Sequence, residues 1–400
     1  MKSEYDYIFS DLNNPTRVIV WDLGRRCNFD CSYCTAWMHS TTAPFNTFEK
    51  LRGTADFIEE YVALYSMYER TPFRNLISFT GGEPAVNPAF YDLVPYLRER
   101  LPAYYLNLTT NGTWSKRRRD FLMGNLDSIT VSYHAAGKEK LRKLCMENIE
   151  WMHREGCNIR VNVMMHVDWW DQCVEVCETL HALGVKYTPR TIGDDGRKDT
   201  EWRIDDDGKM RRTSHPYTAK QLLWIKNHWY HIEKKLFAFV NLPAPTEAPE
   251  GIAAEMGRMC CGGRCMTAKK DGVEKDAMFI EQTNFKGYGC MVNWFFLHIE
   301  EDRDAVYHHQ TCRAKFTDAP QETFDDLLYS KGLITDTNGP ICSISNYRPY
   351  LEWLESKFAE GPPTMVCPNQ HCGCGVCVAK AKKPADLHTL MNKYIYANQD

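Results

Sequence analysis

The chain has 400 residues, of which 44% are hydrophobic and 25% charged, and its formal net charge is -4 at pH 7. These fractions are ordinary for a soluble globular protein, and the length fits one large barrel-type domain plus an extension. The slightly acidic balance gives no strong attraction for nucleic acid, so a nucleic-acid partner or substrate is not expected.

The N-terminal stretch MKSEYDYIFSDLNN lacks the apolar core of a signal or transit peptide. No segment approaches the roughly 18 apolar residues of a membrane span, so we expect a cytoplasmic protein with no membrane partner. In that compartment the 17 cysteines are not expected to form a disulfide framework. Metal or cluster ligation is therefore the first hypothesis for them.

Apolar, β-branched runs alternate with segments of helical periodicity up to about residue 190. The predicted strands are 18–23, 75–80, 104–109, 128–132, 158–165 and 185–190. The predicted helices are 46 to about 70 (with a capping box at Asn46 and Glu49), 88–100, 117–123, 138–155 and 171–183. This α/β alternation predicts a parallel sheet covered by helices, either doubly wound or a (β/α) barrel.

Composition changes after residue 191. The segment 193–212 is polar and predicted to be a loop insertion, and 218 to about 239 is predicted to be a helix that opens with a Thr-x-x-Gln capping signal. The Pro-rich stretch 242–251 marks the predicted domain boundary. We therefore expect one domain over 1–241, with its core at 17–190 and the insertion and helix at 191–241, and a cysteine-rich domain over 242–400.

Three cysteines follow the first predicted strand in one short loop. Cys27, Cys31 and Cys34 have the spacing C-x3-C-x2-C. Three thiolates can bind zinc or an iron–sulfur cluster. A zinc site would normally have a fourth Cys or His nearby, whereas a [4Fe–4S] cluster with three protein ligands leaves one iron open to a substrate or cofactor.

The sequence CNFDCSYC resembles the signature of the radical S-adenosylmethionine (radical SAM) enzymes. The resemblance implies a partial (β/α)6 TIM-type barrel. It also implies that the amino and carboxylate groups of S-adenosylmethionine chelate the open iron, and that one electron from the reduced cluster breaks the C5′–S bond. The 5′-deoxyadenosyl radical then abstracts a hydrogen atom from the substrate. An external electron donor, a flavodoxin or ferredoxin, is implied by the same chemistry.

A second motif, Gly81-Gly82-Glu83-Pro84, follows the second predicted strand and looks like the GGEP motif of that family. Its glycines allow a close backbone approach, and its carboxylate can accept a hydrogen bond from the methionine ammonium. Helix capping is the alternative role for Glu83.

The resemblance also extends to single residues around the expected cofactor. Tyr33 is similar to the family aromatic that lies near the adenine. Contacts to the methionine or ribose part are implied, residue by residue, for Asn111, Ser132, His134, Asn162 and Arg190. His134 departs from the more usual S-x-D pattern, and plain polar roles at strand ends are the alternative for Ser132, His134, Asn162 and Arg190.

Ten of the 17 cysteines lie beyond residue 251. Two predicted strands, 294–299 and 305–310, form a hairpin flanked by two of these cysteines, and the late stretch CPNQHCGCGVC adds four more thiols. This pattern resembles the auxiliary-cluster extension called SPASM, or twitch in its short form. It implies an auxiliary [4Fe–4S] cluster with the ligands Cys290, Cys312, Cys372 and Cys374, followed by Cys367 and Cys377, which could serve a second cluster.

Several cysteine roles stay open at this stage. A zinc ribbon is the alternative for the C-terminal domain. The sequence assigns no role to Cys260, Cys261, Cys265 or Cys342. Four other cysteines lie in or beside predicted helices and are predicted to be core packing residues: Cys145, Cys157, Cys173 and Cys177.

The sequence thus predicts a radical SAM oxidoreductase or radical transformer whose auxiliary cluster accepts an electron or binds substrate. The implied reactions are peptide or protein modification, or oxidation or rearrangement of a sugar, nucleoside or amino acid. The alternative is a non-catalytic iron–sulfur electron carrier or a zinc-stabilised binding module on the same fold. An open three-cysteine cluster beside GGEP disfavours the carrier, which would use four protein ligands.

Overall fold

A computed structural model provides the three-dimensional description of the chain. It describes residues 7–9, 12, 15–31, 33–34, 39–192, 201–204, 210–213, 217–228, 266–270, 273–277, 285, 287–309, 340–367 and 379–397. Within this part of the chain, no helix is long and apolar enough to cross a membrane.

The described residues form strands and helices that alternate through the first half of the chain. The strands are β1 (Tyr7–Phe9), β2 (Thr16–Asp22), β3 (Arg74–Thr80), β4 (Tyr105–Thr110), β5 (Ser128–His134), β6 (Ile159–Met165), β7 (Tyr187–Thr191), β8 (Glu201–Ile204), β9 (Met210–Thr213), β10 (Met266–Lys270), β11 (Val273–Ala277), β12 (Gly289–Cys290), β13 (Phe296–Glu300), β14 (Ala305–Tyr307), β15 (Cys342–Ser343), β16 (Met365–Val366) and β17 (Lys380–Ala381). The helices are α1 (Phe48–Ser66), α2 (Phe90–Arg100), α3 (Arg119–Asn125), α4 (Glu139–Arg154), α5 (Trp170–Ala182), α6 (Ala219–His228), α7 (Val292–Phe295), α8 (Arg348–Glu360) and α9 (Pro384–Tyr394).

The largest sheet has nine strands in the order β15-β14-β13-β2-β3-β4-β5-β6-β7. Strands β2 to β7 are neighbours in chain order and pair in parallel. A doubly wound sheet would reverse its strand order at a switch point, and this sheet does not. The predicted partial (β/α)6 barrel is therefore confirmed, and each of its six strands lies within two residues of the predicted bounds.

The predicted C-terminal hairpin is present as β13 and β14, which pair antiparallel. Its first strand begins two residues later than predicted, because 292–295 form the short helix α7. Strand β13 also pairs in parallel with β2. The hairpin therefore extends the barrel sheet, although the sequence predicted it to be part of a separate C-terminal domain over 242–400.

A second sheet, of six strands, has the order β11-β10-β1-β17-β12-β16. Near the start of the chain, β1 pairs antiparallel with both β10 and β17. This sheet therefore joins the two ends of the chain. The Pro-rich stretch 242–251 lies outside the described residues, as do three cysteines that the sequence left without a role: Cys260, Cys261 and Cys265.

Side chains on the barrel strands alternate between two environments. On β6, Val161, Val163 and Met165 are buried, whereas Asn162 and Met164 are half-buried. Because successive side chains of a strand point to opposite faces, the buried set faces the surrounding helices and the other set lines the inside of the barrel. The inner wall is therefore the more polar one.

Two predicted helix starts have different outcomes. Helix α6 opens with the predicted capping box, since Gln221 N donates to Thr218 Oγ1 at 3.2 Å and Thr218 N to Gln221 Oε1 at 2.8 Å. The capping box predicted at Asn46 and Glu49 was wrong. Thr47 caps α1 instead, and Asn46 donates through Nδ2 to the carbonyl of Leu23 at 3.0 Å. Residues 229–239 of the predicted sixth helix lie outside the described part.

A buried guanidinium ties the first barrel strand to its surroundings. Arg17 is fully buried; it donates to Glu69 Oε1 at 2.7 Å, to Asn75 Oδ1 at 3.1 Å and to the carbonyl of Trp294 at 3.1 Å. Its positive charge also lies 5.0 Å from the centre of the Tyr65 ring. These contacts satisfy a charge that would otherwise be costly to bury, and they join β2 to α1 and α7.

Removing the partner of this guanidinium should destabilise the fold. Glu69→Gln leaves the Arg17 charge buried and unneutralised, and breaking a buried pair from one side costs about 3 kcal/mol or more. Urea unfolding should therefore show a clear loss of stability. The control is Glu139→Gln, which breaks an exposed i,i+4 pair with Lys143 and should leave the midpoint unchanged. Equal effects of the two variants would contradict this role of Arg17.

Candidate active site

Four neighbouring strand ends bring the sequence motifs to one edge of the barrel. The cysteine loop follows β2, GGEP follows β3, Asn111 follows β4, and Ser132 and His134 lie at the end of β5. These four strands are parallel and adjacent. Their carboxyl ends therefore meet at a single edge, the position where barrel enzymes place their chemistry.

The two glycines of GGEP lie directly against the chain that leads into the cysteine loop. Gly82 N donates to the carbonyl of Gly24 at 2.7 Å, and Glu83 N donates to the carbonyl of Arg26 at 2.8 Å. A Cβ on Gly82 would overlap the carbonyl oxygens of Arg25 and Arg26. The close approach that requires glycine is therefore an approach to the chain's own cysteine loop.

Backbone hydrogen bonds hold the two ends of this loop together. Cys27 N donates to the carbonyl of Ser40 at 3.0 Å, and Ser40 N donates to the carbonyl of Arg25 at 2.7 Å. Within the loop, Cys34 N donates to the carbonyl of Cys31 at 3.0 Å. The thiol of Cys31 is buried, and those of Cys27 and Cys34 are half-buried. The loop is thus anchored at its base, and the three thiols lie beyond the end of β2.

Burial dominates the electrostatics of these thiols. It raises the pKa of Cys27 to about 11 and that of Cys31 to about 12, and the charge of Cys27 adds to the shift at Cys31. Thiolates here therefore need a cation beside them. In the described segments, no three His, Cys, Asp or Glu side chains are placed close enough together to hold a metal ion. As a donor set, three thiols on one loop fit a cluster held by three protein ligands better than four-coordinate zinc.

The Glu83 carboxylate is buried and already accepts three hydrogen bonds. They come from Ala85 N at 3.0 Å, Thr110 Oγ1 at 2.7 Å and Asn111 N at 2.6 Å. Burial raises the pKa of Glu83 to about 7, while these donors act in the opposite direction. Glu83 thus caps its own turn and ties the ends of β3 and β4 together. The carboxylate contact to a methionine ammonium stays a prediction.

Asn111 connects the end of β4 to the cysteine loop. Its Nδ2 donates to Asn28 Oδ1 at 2.7 Å, and Asn28 Nδ2 donates to Thr113 Oγ1 at 2.8 Å. Asn28 follows Cys27 directly. The structure therefore brings Asn111 to the loop, and its bond also steadies that loop. The predicted contact of Asn111 with the methionine or ribose part of the cofactor stays a prediction.

Aromatic and imidazole rings gather beside the third cysteine. The Tyr33 hydroxyl is hydrogen-bonded to His134 Nδ1, and the two rings stack with centroids 5.7 Å apart. Phe29 lies 5.8 Å from the His134 ring. Burial lowers the pKa of His134 to about 4, so the imidazole is neutral at pH 7. A neutral imidazole stands where the family pattern has a carboxylate.

His166 is a residue of this cluster that sequence reasoning missed. It is buried, and its ring lies 5.7 Å from that of Tyr33. It directly follows β6, at the same edge as the other motifs. Its position directly after a predicted strand was the sequence signal that could have identified it as a site residue.

The polar residues predicted on the fifth and sixth barrel strands lie on the inner wall. Ser132 pairs in register with Asn162, and Asn162 with Thr188, while Arg190 lies beside Met164 one step further along. Asn162 Oδ1 and Thr188 Oγ1 are buried, and neither has a hydrogen-bond partner within the part of the chain that the structure describes. Such atoms are unfavourable unless water or a ligand meets them, so this wall suits a bound polar molecule. Thr188 had not been predicted.

Two carboxylates lie side by side on neighbouring strands of the same sheet. Asp22 at the end of β2 pairs in register with Glu300 at the end of β13. Burial, followed by repulsion from Glu300, raises the pKa of Asp22 to about 8. Asp302 acts in the same direction, and Arg303 and the N–H of Gly24 oppose it. Sequence reasoning missed this pair, because its members lie on strands that are far apart in the chain.

Two of the predicted auxiliary ligands are close to one another. Cys290 on β12 pairs with Met365 on β16, and Cys367 N donates to the carbonyl of Tyr288 at 2.7 Å. The two buried cysteines are thus diagonal neighbours across one antiparallel ladder. Cys342 lies elsewhere, on β15 opposite Val306. The other predicted ligands lie outside the described residues: Cys312, Cys372, Cys374 and Cys377.

The cysteines predicted to be packing residues behave as such where they are buried. Cys145, Cys173 and Cys177 belong to the hydrophobic core, and Cys157 is half-buried against it. Cys145 also packs below the turn that follows β4, because a Cβ on Gly112 would lie 2.8 Å from its sulfur.

Filling the space at Gly82 should disturb the cysteine loop. Gly82→Ala places a methyl group on two backbone carbonyls, so the unfolding free energy should fall by about 1–3 kcal/mol. In the control Gly53→Ala, on α1, the added Cβ meets no atom within 4 Å. A helical Gly→Ala change there should raise stability by about 0.5–1 kcal/mol. Equal urea stability of Gly82→Ala and the wild type would refute the packing described here.

The Asp22 pKa predicts a pH-dependent stability difference. Folding raises this pKa, so the folded protein retains a proton that the unfolded chain releases near pH 4. The stabilisation of the folded state that comes from this bound proton is present at low pH and is lost as the pH rises toward about 8. Asp22→Asn keeps the oxygen that accepts from Gly24 and cannot ionise. Urea unfolding at pH 5, 7 and 9 should show that the stability of the variant relative to the wild type increases with pH. A stability difference that does not change with pH would contradict the assignment.

A sequence model of the Radical SAM superfamily matches residues 21–206, a little under half of the chain. Among curated proteins, the chain is 28% identical over 144 residues to a GTP 3′,8-cyclase of Aquifex aeolicus (strain VF5). That match covers 36% of this chain and 42% of the cyclase, so the chain spans less than half the length of this relative.

Solved structures of two proteins cover more of the chain at lower identity. A structure of anSMEcpe with bound AdoMet is 14% identical, with a TM-score of 0.45, over 84% of this chain and 77% of that one. SuiB of Streptococcus suis is 13% identical, with a TM-score of 0.43, over 80% and 66%.

Proposed function

We propose that the chain is a radical SAM enzyme, as the match of residues 21–206 to the model of that superfamily supports, and that it cleaves S-adenosylmethionine at a [4Fe–4S] cluster held by Cys27, Cys31 and Cys34. When bound, the cluster and S-adenosylmethionine supply a radical that removes a hydrogen atom from the substrate. The observation that carries the proposal is the three-thiol loop after β2, buttressed by the Gly-Gly-Glu turn after β3.

The residues around the loop suit the recognition of S-adenosylmethionine. We assign Tyr33 to the adenine, because its flat ring offers a stacking surface, and His134, whose ring stacks on Tyr33, to the adjoining ribose. Glu83 retains lone pairs beyond the three hydrogen bonds it accepts, and its turn, with Gly81 and Gly82, would line the methionine part. We assign the polar inner wall to the ribose and methionine, through Asn111, Ser132, Asn162 and Arg190.

The interior of the barrel supports a polar substrate. Its wall carries Asn162 and Thr188, whose buried oxygens have no hydrogen-bond partner among the described residues, and the Asp22–Glu300 pair lies at the ends of β2 and β13 in the same sheet. A peptide side chain or a small polar molecule such as a sugar, nucleoside or amino acid fits this lining. We propose a modification, oxidation or rearrangement of such a substrate, with a flavodoxin or ferredoxin as electron donor.

An auxiliary [4Fe–4S] cluster in the segment 242–400 completes the proposal. The adjacency of Cys290 and Cys367 on one ladder supports these two as ligands. We propose Cys312, Cys372, Cys374 and Cys377 as the further ligands, from the sequence pattern. Such a cluster would accept the electron left on the substrate or bind the substrate directly.

Iron content and S-adenosylmethionine cleavage test the proposal together. The Cys27/Cys31/Cys34→Ala triple variant, reconstituted anaerobically, should hold about four fewer irons than the wild type. With dithionite and S-adenosylmethionine it should form no 5′-deoxyadenosine. Cys157→Ser, which changes a half-buried thiol outside the loop, is the matched control and should behave as the wild type.

Two outcomes would refute the assignment. One is cleavage by the triple variant at the wild-type rate. The other is no cleavage by wild-type protein that holds an intact cluster, which would favour an electron carrier.

A further inference from the structure

The turn between β13 and β14 contacts the entrance of the cysteine loop, although the two lie far apart in sequence. Asp302 in this turn accepts two hydrogen bonds from Arg25 through Oδ2, from the backbone N at 2.9 Å and from Nε at 3.1 Å. Its Oδ1 accepts from Asn46 Nδ2 at 2.8 Å. One carboxylate oxygen therefore holds the segment just ahead of Cys27, and the other holds Asn46, which lies just before α1.

Asn46 links these contacts into one hydrogen-bond network. It also donates to the carbonyl of Leu23 at 3.0 Å and accepts from Lys50 Nζ at 3.0 Å. Lys50 Nζ in turn donates to the carbonyl of Glu301, the neighbour of Asp302, at 2.6 Å. The hairpin turn, the start of α1 and residues 23–25 are thus joined in one network, and this network explains why Asn46 does not cap α1.

Strand register brings the turn to this place. Strand β13 runs parallel to β2 with Glu300 beside Asp22, so two residues further on Asp302 comes beside Gly24. Gly24 has φ +125°, and a Cβ there would lie 2.7 Å from Asn46 Nδ2 and 3.1 Å from Asp302 Oδ1. On its other side the carbonyl of Gly24 accepts from Gly82. The segment is held between the GGEP turn and the hairpin turn.

We propose that Asp302 is a positioning residue, which fixes the segment leading to Cys27 and thereby sets how tightly S-adenosylmethionine binds and how fast it is cleaved. This inference rests on the proposed function of the cysteine loop. The backbone N–H of Arg25 carries most of the effect. The Arg25 side chain is two-fifths exposed, and an ion pair at such a position contributes little.

Asp304 offers a matched control on the same turn. Its carboxylate accepts from the hydroxyls of Ser343 and Ser345 and from Ser345 N at 2.9 Å, so its contacts stay within the C-terminal segment. Asp304 has φ +51°, a conformation that Asn tolerates. Asp304→Asn therefore disturbs the hairpin turn without altering any of the contacts to the cysteine loop described above.

The experiment compares Asp302→Ala, Asp302→Asn and Asp304→Asn with the wild type after anaerobic reconstitution. Three quantities are measured: the dissociation constant of S-adenosylmethionine, the rate of 5′-deoxyadenosine formation, and the electron paramagnetic resonance spectrum of the reduced cluster with and without S-adenosylmethionine. Iron per chain is determined for each protein, so that a folding or assembly defect is separated from a positioning defect.

We expect Asp302→Ala to retain its iron while S-adenosylmethionine affinity falls about tenfold, a loss typical of one hydrogen bond to a charged group. Its cleavage rate should fall and the g values of its S-adenosylmethionine-bound spectrum should shift. Asp302→Asn, which keeps one acceptor oxygen, should lie between Asp302→Ala and the wild type. Asp304→Asn should match the wild type in all three measurements.

The inference is overturned if Asp302→Asn and Asp304→Asn are indistinguishable, a comparison that stands even if Asp302→Ala does not fold. It is also overturned if Asp302→Ala binds and cleaves S-adenosylmethionine as the wild type does. Both results would leave the proposed function intact. Failure of the proposed function would appear instead as cleavage that survives loss of all three loop cysteines.

Discussion

The backbone between the end of β2 and Cys27 is held on two sides, and the rest of the site depends on this constraint. On one side Gly82 N and Glu83 N donate to the carbonyls of Gly24 and Arg26, in a space that leaves no room for a Cβ on Gly82. On the other side Asp302 accepts from Arg25 N. Since the chain is fixed at this point, the loop beyond it can present its thiols in a set position relative to the barrel edge.

The outward face of the barrel strands contributes to stability, and the inward face offers polar groups for binding. Outward residues such as Val161 and Val163 are buried under helices, and inward residues such as Ser132 and Asn162 keep polar atoms at the centre. A barrel that served only stability would fill its interior with bulky apolar side chains. Leaving that interior polar has a cost, since the buried oxygens of Asn162 and Thr188 find no hydrogen-bond partner among the residues described, and a bound ligand would offset it.

The sequence predicted those features that are encoded locally. Hydrophobic runs and helical periodicity located the six barrel strands and their helices, and short motifs located the turns at their carboxyl ends. Contacts between distant segments had no such signal. Asp302 meets Arg25 across 277 positions, and this contact also diverted Asn46 from the predicted cap. The addition of β13 to the barrel sheet, and with it the Asp22–Glu300 pair, depends on the same long-range pairing.

The central claim is that the loop holds a cluster with one iron left open for S-adenosylmethionine. Pulsed electron paramagnetic resonance of the reduced wild-type protein tests it directly, with S-adenosylmethionine carrying ¹⁵N in its amino group. The account predicts a ¹⁵N hyperfine coupling to the cluster, which is absent when the label is omitted. A reduced cluster that binds S-adenosylmethionine without any ¹⁵N coupling would contradict the account.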